Sequence, residues 1–599
     1  MCRILSDVQI SHSIMMRSHL LLAECSGCVV TTSQSSLGGS DPRDVPSDVY
    51  RGRSPPAGSV GDGWWSCSGV ILDRRAGIVI CQAAVFFPFL KEKDLPLSAS
   101  DDTVLSSHDF PPDLFIQVEC PLEPKMDEEH RTRTNPPDQR SGLGLVPVSK
   151  RQSQRMQCQA DLLMVVPCPE FQMAFSSLFR REDGWVFSSE DEKEYEFQKD
   201  LSHLHWFAVL KLQSPPTQAK SRLDAMKSSG VVKGSTVFAC GSPFGSFYTD
   251  IFLNTVSKGV ISNIAGDGNV VLLTDARCLP GSEGGGVYLI EHGRLYLIGI
   301  IVAPLCWKAN EWVGLALACS ISHIINNVIK ALGKADVAVK HELTALEMGR
   351  CIVDRPNRGA RPSERLMAVA VLVDSGQSWG SGVLLNSKLV LTCRHVVRHS
   401  SKVSVKIQSA IMTSGDHHVF ERFHPVRGDV VFSTQESSPY DIAIIQLEEE
   451  ISGIPEPVLA SGYCAGEDVC IVGFGALGER CGPSVTSGVL SSVISVGDGP
   501  VMLQTSCAVH GGSSGGPLFA VQSGELLGIV ASNTRDNNTG ATYPHLNFSV
   551  PVTILQAALD RYVQFGDLRS FGELNKAGLA VRDVWRLQRS PENVLKSKL

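Results

Sequence analysis

Residues 509–518 read VHGGSSGGPL, and residues 279–288 read LPGSEGGGVY. Both carry the frame Gly-Ser-x-Gly-Gly, with Ser514 in one where Glu283 stands in the other. So much glycine marks a tight main-chain turn, because only glycine enters left-handed backbone conformations without penalty. A special turn that recurs raises the question of whether the chain around it recurs as well.

It does. WSCSGVILDRRAGIVICQAAV (65–85) parallels WGSGVLLNSKLVLTCRHVV (379–397), and WFAVLKL (206–212) parallels DIAIIQL (441–447). GSTVFACGSPFG (234–245) parallels GEDVCIVGFGALG (466–478), and VSKGVISNIAGDGNVVLLT (256–274) parallels VTSGVLSSVISVGDGPVMLQT (485–505). The stretch after the opening turn, GGGVYLIEHGRLYLIGIIV (284–302), parallels GGPLFAVQSGELLGIVAS (515–532). Each block is a short run of Val, Ile, Leu and aromatics bounded by Gly, Ser, Asp or Asn, the pattern of short antiparallel strands joined by turns. The predicted fold class is all-β, with one barrel-forming unit present as two tandem copies. ISHIINNVIKALG (321–333) and VTILQAALDRYVQFG (552–566) carry a helical period and close the two units.

The domain layout expected from these blocks has an N-terminal extension at 1–60 and a first unit at 61–333. A connector follows at 334–362, then a second unit at 363–566 and a C-terminal tail at 567–599. Residues near 123–156 are charged, contain proline and are poor in core formers, so they read as a disordered insertion in the first unit.

Of the 599 residues, 43% are hydrophobic and 19% charged, which is ordinary for globular protein. The net charge is −8 and no basic stripe is present, which argues against a nucleic-acid partner. No apolar run reaches the 18 or so residues of a membrane helix, so no membrane span is expected. The 18 cysteines are scattered through apolar runs without paired metal spacing. They read as reduced, buried thiols rather than ligands, and neither a metal nor a cofactor is expected. Ser597-Lys598-Leu599 matches the S-K-L address read by the peroxisomal import receptor.

The second unit holds a set of residues suited to nucleophilic catalysis. Splitting an amide through a serine needs a base for the hydroxyl proton, an acid to orient that base, and donors for the oxyanion. Ser514 is the candidate nucleophile, and the amides of Gly512 and Ser514 are the candidate oxyanion hole. Ser513 is the alternative, but it is followed by Ser-Gly rather than Gly-Gly. His395 follows the apolar run LVLTC and is the candidate base, whereas His399, His417, His418 and His424 lack such a preceding strand. Asp441, at the head of DIAIIQL, is the candidate acid, with Asp429 as runner-up. The order His, Asp, Ser belongs to chymotrypsin-like barrels, whereas α/β-hydrolases run Ser, Asp, His.

Through LTCRHVV, DIAIIQL, GGSSGGPL and NFSVPV, residues 363–560 resemble trypsin-like serine proteases of the HtrA/Deg type. With the duplication and the terminal SKL, the whole chain is similar to the family of peroxisomal trypsin-like proteases that process leader peptides. The resemblance implies a chymotrypsin/trypsin-like double β-barrel in each copy, the first copy degenerate. It also implies a serine endopeptidase of the peroxisomal matrix that removes N-terminal leader peptides from imported matrix enzymes, including those of β-oxidation. Internal cuts and self-cleavage belong to the same expectation. The implied partners are matrix protein substrates and the import receptor, and a homo-oligomer is left open. In this fold the residue six before the nucleophile floors the primary specificity pocket. Here it is Ala508, so a small uncharged P1 side chain is expected, with His510, Asn547 and Ser549 around it. A general quality-control protease and a non-catalytic scaffold are the competing readings.

In the first copy the aligned blocks put Ala83 at the position of His395, Trp206 at that of Asp441 and Glu283 at that of Ser514. All three roles are lost while the frame persists. A docking or regulatory part is therefore expected of the first unit.

Overall fold

The computed structural model describes residues 16–17, 19–34, 64–92, 103–122, 155–187, 203–215, 222–308, 311–333, 339–340, 352–353, 362–409, 422–535 and 542–586. Twenty-four of the strands form four barrels of six. The first uses Gly27–Gln34, Trp64–Asp73, Ile78–Gln82, Leu114–Pro121, Arg155–Pro167 and Trp206–Leu212. The second uses Thr236–Gly241, Thr255–Ala265, Val271–Thr274, Gly286–Glu291, Arg294–Ala303 and Ala316–Ser320. The third uses Ala370–Asp374, Trp379–Leu384, Leu389–Thr392, Lys402–Ser409, Arg422–Ser433 and Ala443–Leu447. The fourth uses Asp468–Gly473, Ser484–Val496, Gly499–Thr505, Pro517–Ala520, Leu526–Arg535 and Thr542–Pro551.

In all four the strands, numbered along the chain, run round the barrel in the order one, two, three, six, five, four. Closure pairs each of these strands on both sides and turns one face of it inward. Inward alternation is plain in Leu114–Pro121, where Ile116, Val118 and Cys120 are buried between half-exposed neighbours. The hairpin at Glu291–Arg294 turns through His292 and Gly293, both with positive φ, which matches the right-handed twist of its strands. The second barrel's sheet is continued in parallel by Asp224–Met226 and Ile352–Val353.

The architecture is the expected tandem double-barrel, trypsin-like fold, and both expected helices form, as Ile321–Leu332 and Thr553–Phe565. Ile321, Ile324, Ile325, Val328 and Ala331 give the first an inward stripe at three- and four-residue spacing. Three expected boundaries differ. Gly27–Gln34, placed in an N-terminal extension, is the first strand of the first barrel and pairs with Trp64–Asp73 and Leu114–Pro121. Arg155 and Met156, assigned to the insertion, open the strand Arg155–Pro167. Residues 567–586, assigned to the tail, pack on the second unit, with Phe571 and Leu574 in its core and Trp585 Nε1 donating to Val501 O at 3.1 Å. Most of the insertion and connector, and Ser597-Lys598-Leu599, lie outside the described residues.

The sixteen described cysteines are free thiols, and all but Cys464 are buried, so they pack as small hydrophobes. No described helix is long and apolar enough to cross a membrane.

Candidate active site

The candidate base and acid meet because their strands are neighbours. Leu389–Thr392 pairs antiparallel with Ala443–Leu447, Thr392 opposite Ala443. His395 stands one turn past the first strand, in the short helix Arg394–Val397, and Asp441 stands two residues before the second. Asp441 Oδ1 accepts the His395 amide at 3.0 Å, and Oδ2 contacts the ring at Nδ1. With an ionised carboxylate as acceptor, Nδ1 carries the proton and Nε2 keeps its lone pair. Burial alone would raise the Asp441 carboxyl, but the His395 ring and amide and the Arg394 guanidinium outweigh it and hold it below the usual carboxylate range. Asp429, the runner-up acid, lies on the surface 3.1 Å from Lys402 Nζ. His399 is exposed, His424 faces Glu449 at 3.7 Å, and His417 and His418 lie outside the described residues.

Cys393 Sγ lies within ligand reach of the same two side chains. Burial and the neighbouring Asp441 keep it protonated, and it donates to Val530 O at 3.2 Å, so it acts as a packing thiol.

Ser514 lies in the loop between Gly499–Thr505 and Pro517–Ala520. Val530 O ties this loop to the histidine turn, accepting from Gly515 N at 2.7 Å as well as from Cys393. Ser381 N donates to Ser514 O at 2.8 Å. Gly512 and Gly515 have φ of 94° and 84°, conformations that require glycine. Ser513 N, Gly515 N and Gly516 N are spent on carbonyls, whereas Gly512 N and Ser514 N bond no protein atom among the described residues. Two unspent amides flanking a half-buried serine are the donor set an oxyanion needs. Ser513, the alternative serine, is buried beneath the loop.

The first copy repeats this turn bond for bond. Ser282 N, Gly284 N and Gly285 N donate to Leu279, Ile301 and Ser282 carbonyls, and Ser68 N donates to Glu283 O at 2.8 Å. Gly281 and Gly284 have φ of 94° and 85°. Here, however, the Glu283 carboxylate takes the Gly281 amide at 2.6 Å and its own amide as well. In the first copy the amides equivalent to Gly512 N and Ser514 N are thus taken by the loop's own side chain. Burial pushes the Glu283 carboxyl up to about 7, in part offset by those amides. Trp206 occupies the acid's place, fully buried, its ring edge-on to Phe87.

One alignment position shifts. Gly69 pairs with Cys81 as Gly382 pairs with Thr392, so Ala84, not Ala83, is the register equivalent of His395. Counted from these pairs, Val85 is the counterpart of Val396 rather than of Val397, the end of the aligned block.

The pocket candidates are all buried, but their roles diverge. Asn547 is committed to its neighbours: Oδ1 accepts from the Thr505 hydroxyl at 2.7 Å and Nδ2 donates to the main-chain Cys507 O at 2.8 Å. His510 Nδ1 accepts from Ala476 N at 2.9 Å, and burial pushes the ring down to about 4, so it stays neutral. Ser549 Oγ and His510 Nε2 are buried without a hydrogen-bond partner among the described residues. Ala508 has a neighbour that sequence reasoning missed. A Cβ on Gly314, from the first unit, would lie 3.3 Å from Ala508 Cβ and 3.2 Å from His545 Nε2. Trp312 stands edge-on to His545 at 5.5 Å. Two tryptophans within the polar stretch WKANEW (307–312) were the trace of this in the sequence.

Residues 380–529 match the family of trypsin-like peptidase domains. The chain is 44% identical to the peroxisomal leader peptide-processing protease of Mus musculus, covering 96% of this chain and 98% of that one. It is 42% identical to the peroxisomal leader peptide-processing protease of Homo sapiens, covering 97% and 99%. Among solved structures, the serine endoprotease of Yersinia pestis matches 35% of this chain and 70% of its own at 20% identity, with a TM-score of 0.27.

Proposed function

Because this chain belongs to the family of peroxisomal leader peptide-processing proteases, we propose that it is a peroxisomal serine endopeptidase whose working centre is His395, Asp441 and Ser514. Ser514 Oγ attacks the scissile carbonyl while His395 Nε2 takes its proton. Asp441 holds the ring by Nδ1 and stabilises the imidazolium that forms. The tetrahedral oxyanion is met by the amides of Gly512 and Ser514. His395 then protonates the leaving amine, and water hydrolyses the acyl-enzyme by the reverse sequence. The clients are imported matrix enzymes, β-oxidation enzymes among them, cut at N-terminal leaders and internal sites, and the chain cuts itself. Ser597-Lys598-Leu599 meets the import receptor.

The observation that carries the reading is the pair of unspent amides at Gly512 and Ser514, on a loop tied through Val530 O to the histidine turn. A fluorophosphonate probe tests it: wild type labels and Ser514→Ala does not. Equal labelling of both would remove Ser514 from the role. Fragment sequencing in the two proteins tests self-cleavage, since identical fragments would assign the cuts to another protease.

A further inference from the structure

We infer that the retired unit holds the oxyanion loop of the working unit in its productive shape by clamping residues 474–483, and that Lys308 is the positioning residue of the clamp. The inference rests on the reading of Ser514 as nucleophile.

The inner edge of this segment fixes the oxyanion loop at two points. Phe474 N donates to Ser381 Oγ at 2.8 Å, and Ser381 Oγ donates on to Gly512 O at 2.8 Å. Two residues later, Ala476 N donates to His510 Nδ1 at 2.9 Å, and His510 O accepts Ser513 N at 3.0 Å. Gly475 lies between them, so close to the imidazole that a Cβ there would sit 1.7 Å from His510 Cε1. Residues 510 to 513, whose turn presents the Gly512 amide, are therefore shaped by residues 474 to 476.

The outer edge is held by side chains and main chain of the first unit. Lys308 Nζ donates to Ala476 O, the same residue whose amide orients His510. Arg480 donates to Leu178 O at 2.8 Å and pairs with Asp183. Lys233 Nζ donates to the carbonyls of Cys481 and, at 3.2 Å, Pro483. Ala476, Leu477 and Cys481 are buried within the hydrophobic core of the first unit rather than that of their own barrel. Lys308 is itself braced, its ammonium 5.3 Å from the Trp185 ring centroid.

The segment GALGERCG contains glycines at 475, 478 and 482, two of them with positive φ, so its own sequence does not stiffen it. Its order comes from what it packs against. The matching segment of the first copy makes the same inner bond, Ser242 N to Ser68 Oγ at 2.8 Å, but leaves Phe247 and Ile251 exposed. Only the copy with unspent oxyanion amides has its segment buried in the other unit.

Loss of Lys308 leaves the Ala476 carbonyl unpaired and loosens the amide that points at His510. The oxyanion hole then binds its transition state less well, while ground-state substrate binding is little touched. The test uses the full chain with a fluorophosphonate probe and a cleavable peptide. Lys308→Ala is expected to slow labelling and lower kcat by about 10- to 100-fold, below the loss typical for deleting a donor outright. KM stays within about twofold, and Lys308→Arg, which keeps a cationic donor, restores most of the rate. Lys308→Met keeps the stem over Trp185 without the donor; it separates the hydrogen bond from packing and serves where the alanine variant unfolds. Wild-type labelling and kcat in folded Lys308→Ala or Lys308→Met would overturn the clamp. If wild type and Ser514→Ala label alike, the nucleophile assignment fails and the clamp falls with it.

Discussion

Two main-chain amides separate the two loops. In the second copy Gly512 N and Ser514 N are unspent, and in the first copy the Glu283 carboxylate takes Gly281 N and its own amide. The carboxyl there titrates near 7 instead of 4.5 because burial disfavours its charge. Between those values the folded chain binds the proton that the unfolded chain releases, so stability falls as pH rises through about 4.5 to 7 and levels off above. Glu283→Gln is expected to flatten that slope, with a gain over wild type that grows from pH 5 to pH 8 toward a ceiling of about 3 kcal/mol. Denaturant midpoints at the two pH values measure it, and parallel curves would reject it. In the working unit, Asp441→Asn leaves an acceptor in place but favours the wrong tautomer of His395. By analogy with other triads, kcat is expected to drop about 10⁴-fold with the fold intact. A drop of tenfold or less in peptide hydrolysis would reassign the acid.

The segment that carries Gly314 reaches Ala508, the expected floor of the specificity pocket, from the other copy. Gly314 has φ of 71°, and a side chain there would press on Pro544, His545 and Ala508 within 3.3 Å. Gly314→Val is expected to cost about 1–3 kcal/mol through overpacking and to lower kcat/KM most for the larger P1 residues. A P1 peptide series with a melting curve checks both, and unchanged P1 preference would detach this segment from the pocket. How legible each element was follows from its reach along the chain. Strand runs and both helices carry their period locally, and the repeat fixed which blocks correspond. Gly27–Gln34 was hidden because its barrel partners begin thirty residues later and its run of small and polar residues lacks a sharp alternation. The equivalence of Ala84 was hidden because strand pairing, not the ends of similar runs, sets the register. The His, Asp, Ser order was readable since each residue stands within three positions of a strand end. Lys308, Trp312 and Gly314 were not, since their role exists only once two units are docked.

The units are not beads on a string. Asp275 Oδ2 accepts from Ser487 N and Oγ across the interface, Asn263 Nδ2 donates to Ser484 Oγ, and Leu477 is buried in the opposite core. A shared core predicts one calorimetric transition for the full chain. Leu477→Ala, a large-to-small change in that shared core, is expected to cost about 2–5 kcal/mol and to split the peak in two. Two peaks in wild type would contradict the coupling. The buried Trp206 carries a different consequence. Replacing Glu283 with serine would free two amides, yet a base would still be missing at Ala84 and an indole would still fill the volume an aspartate needs. Each reversal alone is expected to give no activity, and Trp206→Asp alone would place a bare charge in a core built for a ring. The duplication therefore behaves as a ratchet: the first copy can drift toward a better brace, while the path back to a second protease is closed to single steps.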